Sequence, residues 1–199
     1  MILRCASTNA GKIREFRLAA TQSGFPEIDI QPLDNLNSLE PCIEDGGSFE
    51  ANAVKKALYY SVLSEAPVFA DDSGLVVDAL EGAPGVRSAR YSAEGTDQAN
   101  NRLLIDNLRG REERAARFSC VIALARQGVL LGTFHGAVEG LIVDDPRGEG
   151  GFGYDPHFYY PPCGATFGEL DDNSKLTVSH RGQALRALLA FAASTARSR

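Results

Sequence analysis

The sequence has few of the residues from which metal clusters and disulfide frameworks are built. Its four cysteines, Cys5, Cys42, Cys120 and Cys163, lie far apart along 199 residues and share no paired spacing. That excludes a sequence-level zinc site or disulfide scaffold, and a reducing cytoplasm is the expected setting. His135, His157 and His180 are equally scattered and form no ligand motif. No Lys/Arg run occurs, and the formal net charge is −6, which speaks against a nucleic-acid partner. A phosphate ligand remains compatible, since a pocket needs only a few local donors and a metal. The apolar start, Met1 to Ser7, is too short for a signal peptide or a membrane span, so no membrane partner is expected. With no repeat, low-complexity linker or clean boundary, residues 1–199 are expected to form a single domain. A 44% hydrophobic fraction with 23% charge is ordinary for a globular chain with a sizeable core.

Periodicity predicts a short strand at Ile2–Ala6, then a helix with Ile13, Phe16, Ala19 and Ala20 on one face, stopped at Gly24-Phe25-Pro26. A strand is predicted over 28–33 and a polar loop over 35–47. Ser48 is the expected cap of a second helix reaching about Ser64, with Glu50 in its first turn. Strands are predicted at Ala66–Ala70 and Leu75–Ala79. Thr96 should cap a third helix that Gly110 ends. Ala115–Arg126 and Val129–Val138 read as a hairpin joined at Gln127-Gly128, followed by a separate strand at Gly140–Val143. A last helix covers about Ser179–Ser194. Alternating helices and strands with one hairpin predict α/β with a mixed sheet.

Between the two runs lies Ala70-Asp71-Asp72-Ser73-Gly74-Leu75. Burying an ionised carboxylate costs several kcal/mol, roughly, unless a cation or donor compensates. Two adjacent acids there suggest a divalent-metal site at the open end of a strand, although Asp-Asp-Ser-Gly is also good turn chemistry. Ser7-Thr8-Asn9-Ala10-Gly11-Lys12 joins a strand to a helix, where outward N–H groups and the dipole favour an anion. By itself it fits a phosphate cradle and a capped turn equally well, and it lacks the Walker spacing. Asn52 and Lys56 share a helix face that, taken alone, reads as solvated; Glu44 and Asp45 read as exposed loop acids. In Gly150-Gly151-Phe152-Gly153-Tyr154-Asp155-Pro156 the glycines leave the Phe152 ring uncovered for stacking, and Asp155 can accept ring N–H groups; a Gly-Pro turn with buried aromatics is the alternative. Lys175 and Ser179-His180-Arg181-Gly182 surround the start of the last helix, where the dipole opposes cations by about 0.3–1 kcal/mol per charge. That misplacement favours a functional reading of His180 and Arg181.

Together, Ser7–Lys12, Ala70–Leu75, Phe152–Pro156 and Lys175 with Ser179–Gly182, in that order, resemble the inosine triphosphate pyrophosphatase family, from about Leu3 to Leu188. Ala83-Pro84-Gly85 and Ser88-Ala89-Arg90-Tyr91 match as well. The resemblance implies an elongated α/β fold, a mixed central β-sheet with flanking helices and two lobes around a central substrate cleft, usually as a homodimer. It implies Mg²⁺-dependent hydrolysis of aberrant purine nucleoside triphosphates (ITP, dITP, XTP) to the monophosphate and pyrophosphate.

Carried over by the same resemblance, Asp72 is the general base and a metal ligand, and Glu44 a second acid at the metal. Ser73 lies beside the substrate. Ser7, Thr8, Asn9, Ala10, Gly11, Lys12 and Lys56 hold the triphosphate. Phe152 stacks on the base within a block that includes Gly153 and Tyr154, while Asp155, Lys175, His180 and Arg181 read or position it. Two positions depart from the family pattern. Thr8 stands where glycine is usual, which is unfavourable if that backbone needs a positive φ. Ala51 replaces a glutamate that would complete a capping box, so Glu50 is expected to supply part of its charge and Glu44 and Asp71 more of any metal binding. Because strand neighbours point to opposite faces, catalysis is assigned to Asp72 and support to Asp71. Rival readings are a Maf-like pyrophosphatase acting on other nucleotides and a non-catalytic nucleotide sensor.

Overall fold

The computed structural model describes residues 1–22 and 24–197. The expected mixed α/β architecture is present, with a seven-stranded sheet in the order β2-β1-β3-β4-β5-β6-β7. Its strands are β1 (Ile2–Cys5), β2 (Asp29–Pro32), β3 (Val68–Val77), β4 (Ala115–Arg126), β5 (Val129–Ile142), β6 (Phe158–Tyr160) and β7 (Ala165–Thr166). The helices are α1 (Ala10–Gln22), α2 (Phe49–Ser61), α3 (Asp97–Leu108), α4 (Asp172–Val178) and α5 (His180–Arg197). β1 pairs in parallel with β2 and β3, as a strand–helix–strand crossover through α1 requires. β5, β6 and β7 pair antiparallel.

The chain divides into two compact units, each drawn from separate stretches of sequence. The first takes Met1–Asp72, Cys120–Gly136 and the C-terminal stretch from His180; the second takes Ser73–Ser119 and Ala137–Ser179. In the first unit, Ala53, Ala57 and Tyr60 of α2 pack with Val68 and Ala70 of β3 and with Val121, Ala123 and Ala125 of β4. Phe16 of α1 meets Phe69 edge-on at 5.2 Å between ring centroids. In the second, Leu104 and Leu108 of α3 join Leu75, Val77, Phe118, Phe158 and Phe167.

Local chemistry sets most element boundaries. The Ser48 hydroxyl accepts from the Ala51 N–H at 3.1 Å, and Thr96 Oγ1 accepts from Ala99 at 3.2 Å, so both expected caps are present. Gln127 and Gly128 both have positive φ, +49° and +78°, as a two-residue hairpin loop demands.

Several expectations are corrected. The two strands predicted around the acidic stretch are one continuous strand, β3, so Asp71 and Asp72 sit mid-strand rather than at an open end. The strand predicted at Gly140–Val143 is the end of β5; a Cβ at Gly140 would lie 2.6 Å from Phe158 and from the Tyr159 carbonyl, so glycine there admits β6 alongside. The second helix stops at Ser61 rather than Ser64. Lys175 does not flank the last helix as loop: it lies on α4, a short helix absent from the sequence reading and capped by Asp171, whose carboxylate accepts from the N–H groups of Asn173 and Ser174.

Candidate active site

In the first unit, the site residues converge around β3. Alternation along the strand turns Asp71 and Asp72 to opposite faces, and each finds a different helix. Asp72 is 7% exposed and meets α2: its Oδ2 accepts from Asn52 Nδ2 at 2.9 Å, and Lys56 Nζ stands 4.0 Å from its Oδ1. Lys56 also donates to the Asp71 carbonyl at 2.6 Å and pairs with Glu44 at 3.1 Å. Burial pushes the Asp72 carboxyl above its ordinary range, against the opposing pull of Lys56 and of the Asn52 amide. Lys56 is raised: burial opposes its charge, but Asp71, Asp72 and Glu44 together outweigh that penalty. The helix face bearing Asn52 and Lys56, read alone as solvated, is buried.

Asn52 also accepts from the Gly46 N–H at 2.8 Å, tying the loop that carries Glu44 to the helix that holds Asp72. A Cβ at Gly46 would sit 2.7 Å from that amide oxygen, so the loop has no room for a larger residue.

On the other face of β3, Asp71 pairs with Lys12 at 2.7 Å, and Arg181 Nε lies 3.9 Å away. Burial would raise the Asp71 carboxyl, but Lys12, Arg181 and Lys56 outweigh it and hold it at about 2. The guanidinium of Arg181 also donates to the buried Glu15 carboxylate of α1. Two carboxylates thus offset the unfavourable placement of a cation in the first turn of α5. His180 is buried beside it, and a Cβ at Gly136 of β5 would fall 2.0 Å from the His180 carbonyl, so that turn rests directly on the strand. Asp71 therefore supports the site through Lys12 and Arg181.

The Ser7–Lys12 turn is a capped helix start. Asn9 Oδ1 accepts from the Lys12 N–H at 3.0 Å, and Ser7 Oγ accepts from the Asn9 N–H at 3.3 Å. Thr8 and Ala10 are exposed, Gly11 is half-buried, and the backbone at Thr8 does not adopt positive φ, so the substitution for glycine is accommodated. A capped turn and an anion cradle are compatible here, because the cap uses one N–H and leaves others at the positive end of α1. Glu50 is exposed near His135 and Thr133.

In the second unit, Phe152 is half-buried with Lys175 Nζ 4.9 Å from its ring centroid. Asp155 is only 2% exposed; its Oδ2 accepts from the Phe152 N–H at 2.7 Å and pairs with Lys175 at 2.6 Å. Instead of presenting that oxygen outward, Asp155 fixes the ring's backbone and the lysine together. Gly151, at φ +74°, has no space for a Cβ, which would lie 2.1 Å from the same oxygen. Tyr154 is buried core, its hydroxyl donating to the Ser88 carbonyl at 2.8 Å. Ser73 is half-buried at the start of this unit, next to Asp72 in the strand.

Among the described residues, no group of three or more His, Cys, Asp or Glu side chains forms a metal cage. Mg²⁺ does not require one, being bound commonly by one or two carboxylates with phosphate and water. Asp72 and Glu44 fit that donor set, and the Lys56 ammonium marks the point where both already converge on positive charge.

The Ham1 family profile matches residues 3–191. The chain belongs to the Ham1 family. Relatives in Acidobacterium capsulatum (46% identity, 96% of this chain and 97% of the relative) and Geobacter sulfurreducens (48%, 92% of each) are named dITP/XTP pyrophosphatase. A solved Ham1 protein from Staphylococcus aureus aligns with a TM-score of 0.85 at 37% identity, covering 98% of this chain and 100% of its own. One from Coxiella burnetii gives 0.86 at 37% identity, covering 98% and 99%.

Within this Ham1 chain, sequence reasoning missed Glu15 and undervalued Asn52. Glu15 is buried on α1 beside Phe16, but an acid there reads as surface, and its partner is 166 residues away. Asn52 carried one usable signal: it lies one turn before Lys56 on a face that also offers Ala53 and Ala57 to the core.

Proposed function

We propose that this chain hydrolyses aberrant purine nucleoside triphosphates (ITP, dITP and XTP) to the nucleoside monophosphate and pyrophosphate, with Mg²⁺ as cofactor. The observation that carries the reading is the meeting of Asp72, Glu44 and Lys56. It joins a carboxylate whose proton affinity is raised by burial to a second carboxylate and a buried cation. Such a set can take a proton from water and tolerate a polyphosphate, which a plain ion pair does not need. The names borne by relatives in Acidobacterium and Geobacter point the same way.

In this reading the Ser7–Lys12 turn and Lys56 neutralise the triphosphate, Asp72 accepts the proton of the attacking water, and the α–β phosphoanhydride breaks with pyrophosphate leaving. Asp72 and Glu44 would hold Mg²⁺, which supplies charge neutralisation on the phosphate oxygens. Phe152 stacks on the base, and Asp155 acts by orienting Phe152 and Lys175. Lys175 bears only donors, which suit the 6-oxo acceptor of hypoxanthine and xanthine and oppose the amino donor of adenine. Arg181, itself held by Glu15, steadies Lys12 through Asp71, which both contact.

A panel of dITP, XTP, dATP and dGTP, assayed for pyrophosphate release with Mg²⁺ and with a chelator, tests this. Expected is turnover of dITP and XTP at least about 100-fold above dATP, the scale of discrimination that an unpaired polar group supplies, and none in chelator. Equal turnover of all four, or full activity without metal, contradicts it.

A further inference from the structure

We infer that Asp97 and Asn101 of α3 are positioning residues that fix the base-stacking loop through the Gly153 peptide. They lie four apart and so project from one helix face. Asp97 Oδ2 accepts from the Gly153 N–H at 2.7 Å, and Asn101 Nδ2 donates to the Gly153 carbonyl at 2.8 Å. Asp155, within the loop, holds the Phe152 N–H, so two side chains of α3 and one of the loop itself fix three backbone groups of Phe152 and Gly153.

The clamp answers a specific need. Gly153 adopts φ +65°, and nothing lies within 4 Å of where its Cβ would be. Gly153 lies outside sheet and helix, and glycine has the widest choice of backbone conformations, so bonds to its N–H and carbonyl fix the residue that follows the Phe152 ring. A first-turn acid such as Asp97 also suits the α3 dipole, but the dipole does not account for Asn101. The Asn101 Oδ1 is buried and meets no donor among the described residues. An amide is disfavoured there unless its other end does something, and its other end holds Gly153. Asn100, one residue earlier, grips Ser88, Ala89 and Ser92, so the first turns of α3 bind two irregular segments at once.

The inference rests on Phe152 stacking against the base, and a double-mutant cycle separates the two ideas. In steady-state kinetics with dITP, Phe152→Ala should raise KM with little change in kcat. Asn101→Leu should raise KM by about fivefold to tenfold, the size of one lost hydrogen bond, again at near-constant kcat. In the Phe152→Ala background, Asn101→Leu should add nothing, because its effect passes through the ring. Asp97→Ala, at an exposed position with the Thr96 cap intact, should behave like Asn101→Leu. Asp97→Asn, which keeps an acceptor oxygen, should restore most of the affinity. An unchanged KM in Phe152→Ala overturns the stacking assignment and the inference with it. A raised KM there, with Asn101→Leu and Asp97→Ala unchanged, acting on kcat alone, or equally severe in both backgrounds, overturns the clamp and leaves stacking intact.

Discussion

Two adjacent aspartates do opposite work because a strand sends them to opposite faces. Asp72 keeps a raised proton affinity beside Lys56 and Asn52, whereas Asp71 is locked as a carboxylate among Lys12, Arg181 and Lys56. Isosteric Asp72→Asn should therefore lower kcat by about 10²–10⁴-fold, the scale of a lost general base. Calorimetric titration of the variant should show dITP still bound; turnover near that of the parent would remove Asp72 from the chemistry. Asp71 makes a stability prediction instead. Its folded pKa, about 2, lies below that of an unfolded aspartate near 3.9. The group thus stabilises the fold fully above pH ~4 and loses that contribution as pH falls toward ~2, by on the order of 2 kcal/mol. Urea titrations at a series of acidic pH values should show a steeper loss for the parent than for Asp71→Asn. Parallel slopes would mean that the carboxylate is not held ionised.

At the scale of elements, close approaches set where functional groups stand. The first turn of α5 sits on β5 only because Gly136 lacks a side chain. Gly136→Ala should cost about 1–3 kcal/mol in urea unfolding, by overpacking, and raise KM through displacement of the turn carrying Arg181; a neutral effect on both would show that the turn yields freely. Legibility in the sequence divides along the same lines. Caps at Ser48 and Thr96 and the Gln127-Gly128 turn were readable because they are local hydrogen-bond and φ requirements. The continuity of β3 was not: Asp-Asp-Ser-Gly favours a turn in isolation, and only its place in the sheet, where β1 pairs with Val68 and Phe69 and β4 is the neighbour on the other side, carries it through as strand. The α4 helix escaped because it spans only seven residues, too short for periodicity to show.

At the scale of the whole molecule, both compact units are assembled from separate stretches of sequence, which is why no boundary showed in composition. Partners such as Glu15 and Arg181, or Asn101 and Gly153, are set by tertiary folding and leave no spacing to read. The candidate site residues were legible as residue types in order, and their division into a buried charge network and a clamped aromatic loop was not. Lys56 already stands between Glu44 and Asp72, so the acids do not depend on a metal for neutralisation. Chelation should accordingly stop turnover while leaving the thermal unfolding midpoint nearly unchanged. A collapse of the midpoint in chelator would make the metal structural. The most direct measurement is the identity of the products: dITP incubated with protein and Mg²⁺, the mixture resolved by anion exchange. The expected result is dIMP and pyrophosphate in equal amounts, and neither with Asp72→Asn. Accumulation of dIDP with inorganic phosphate, or undiminished pyrophosphate from the Asn variant, would contradict the account.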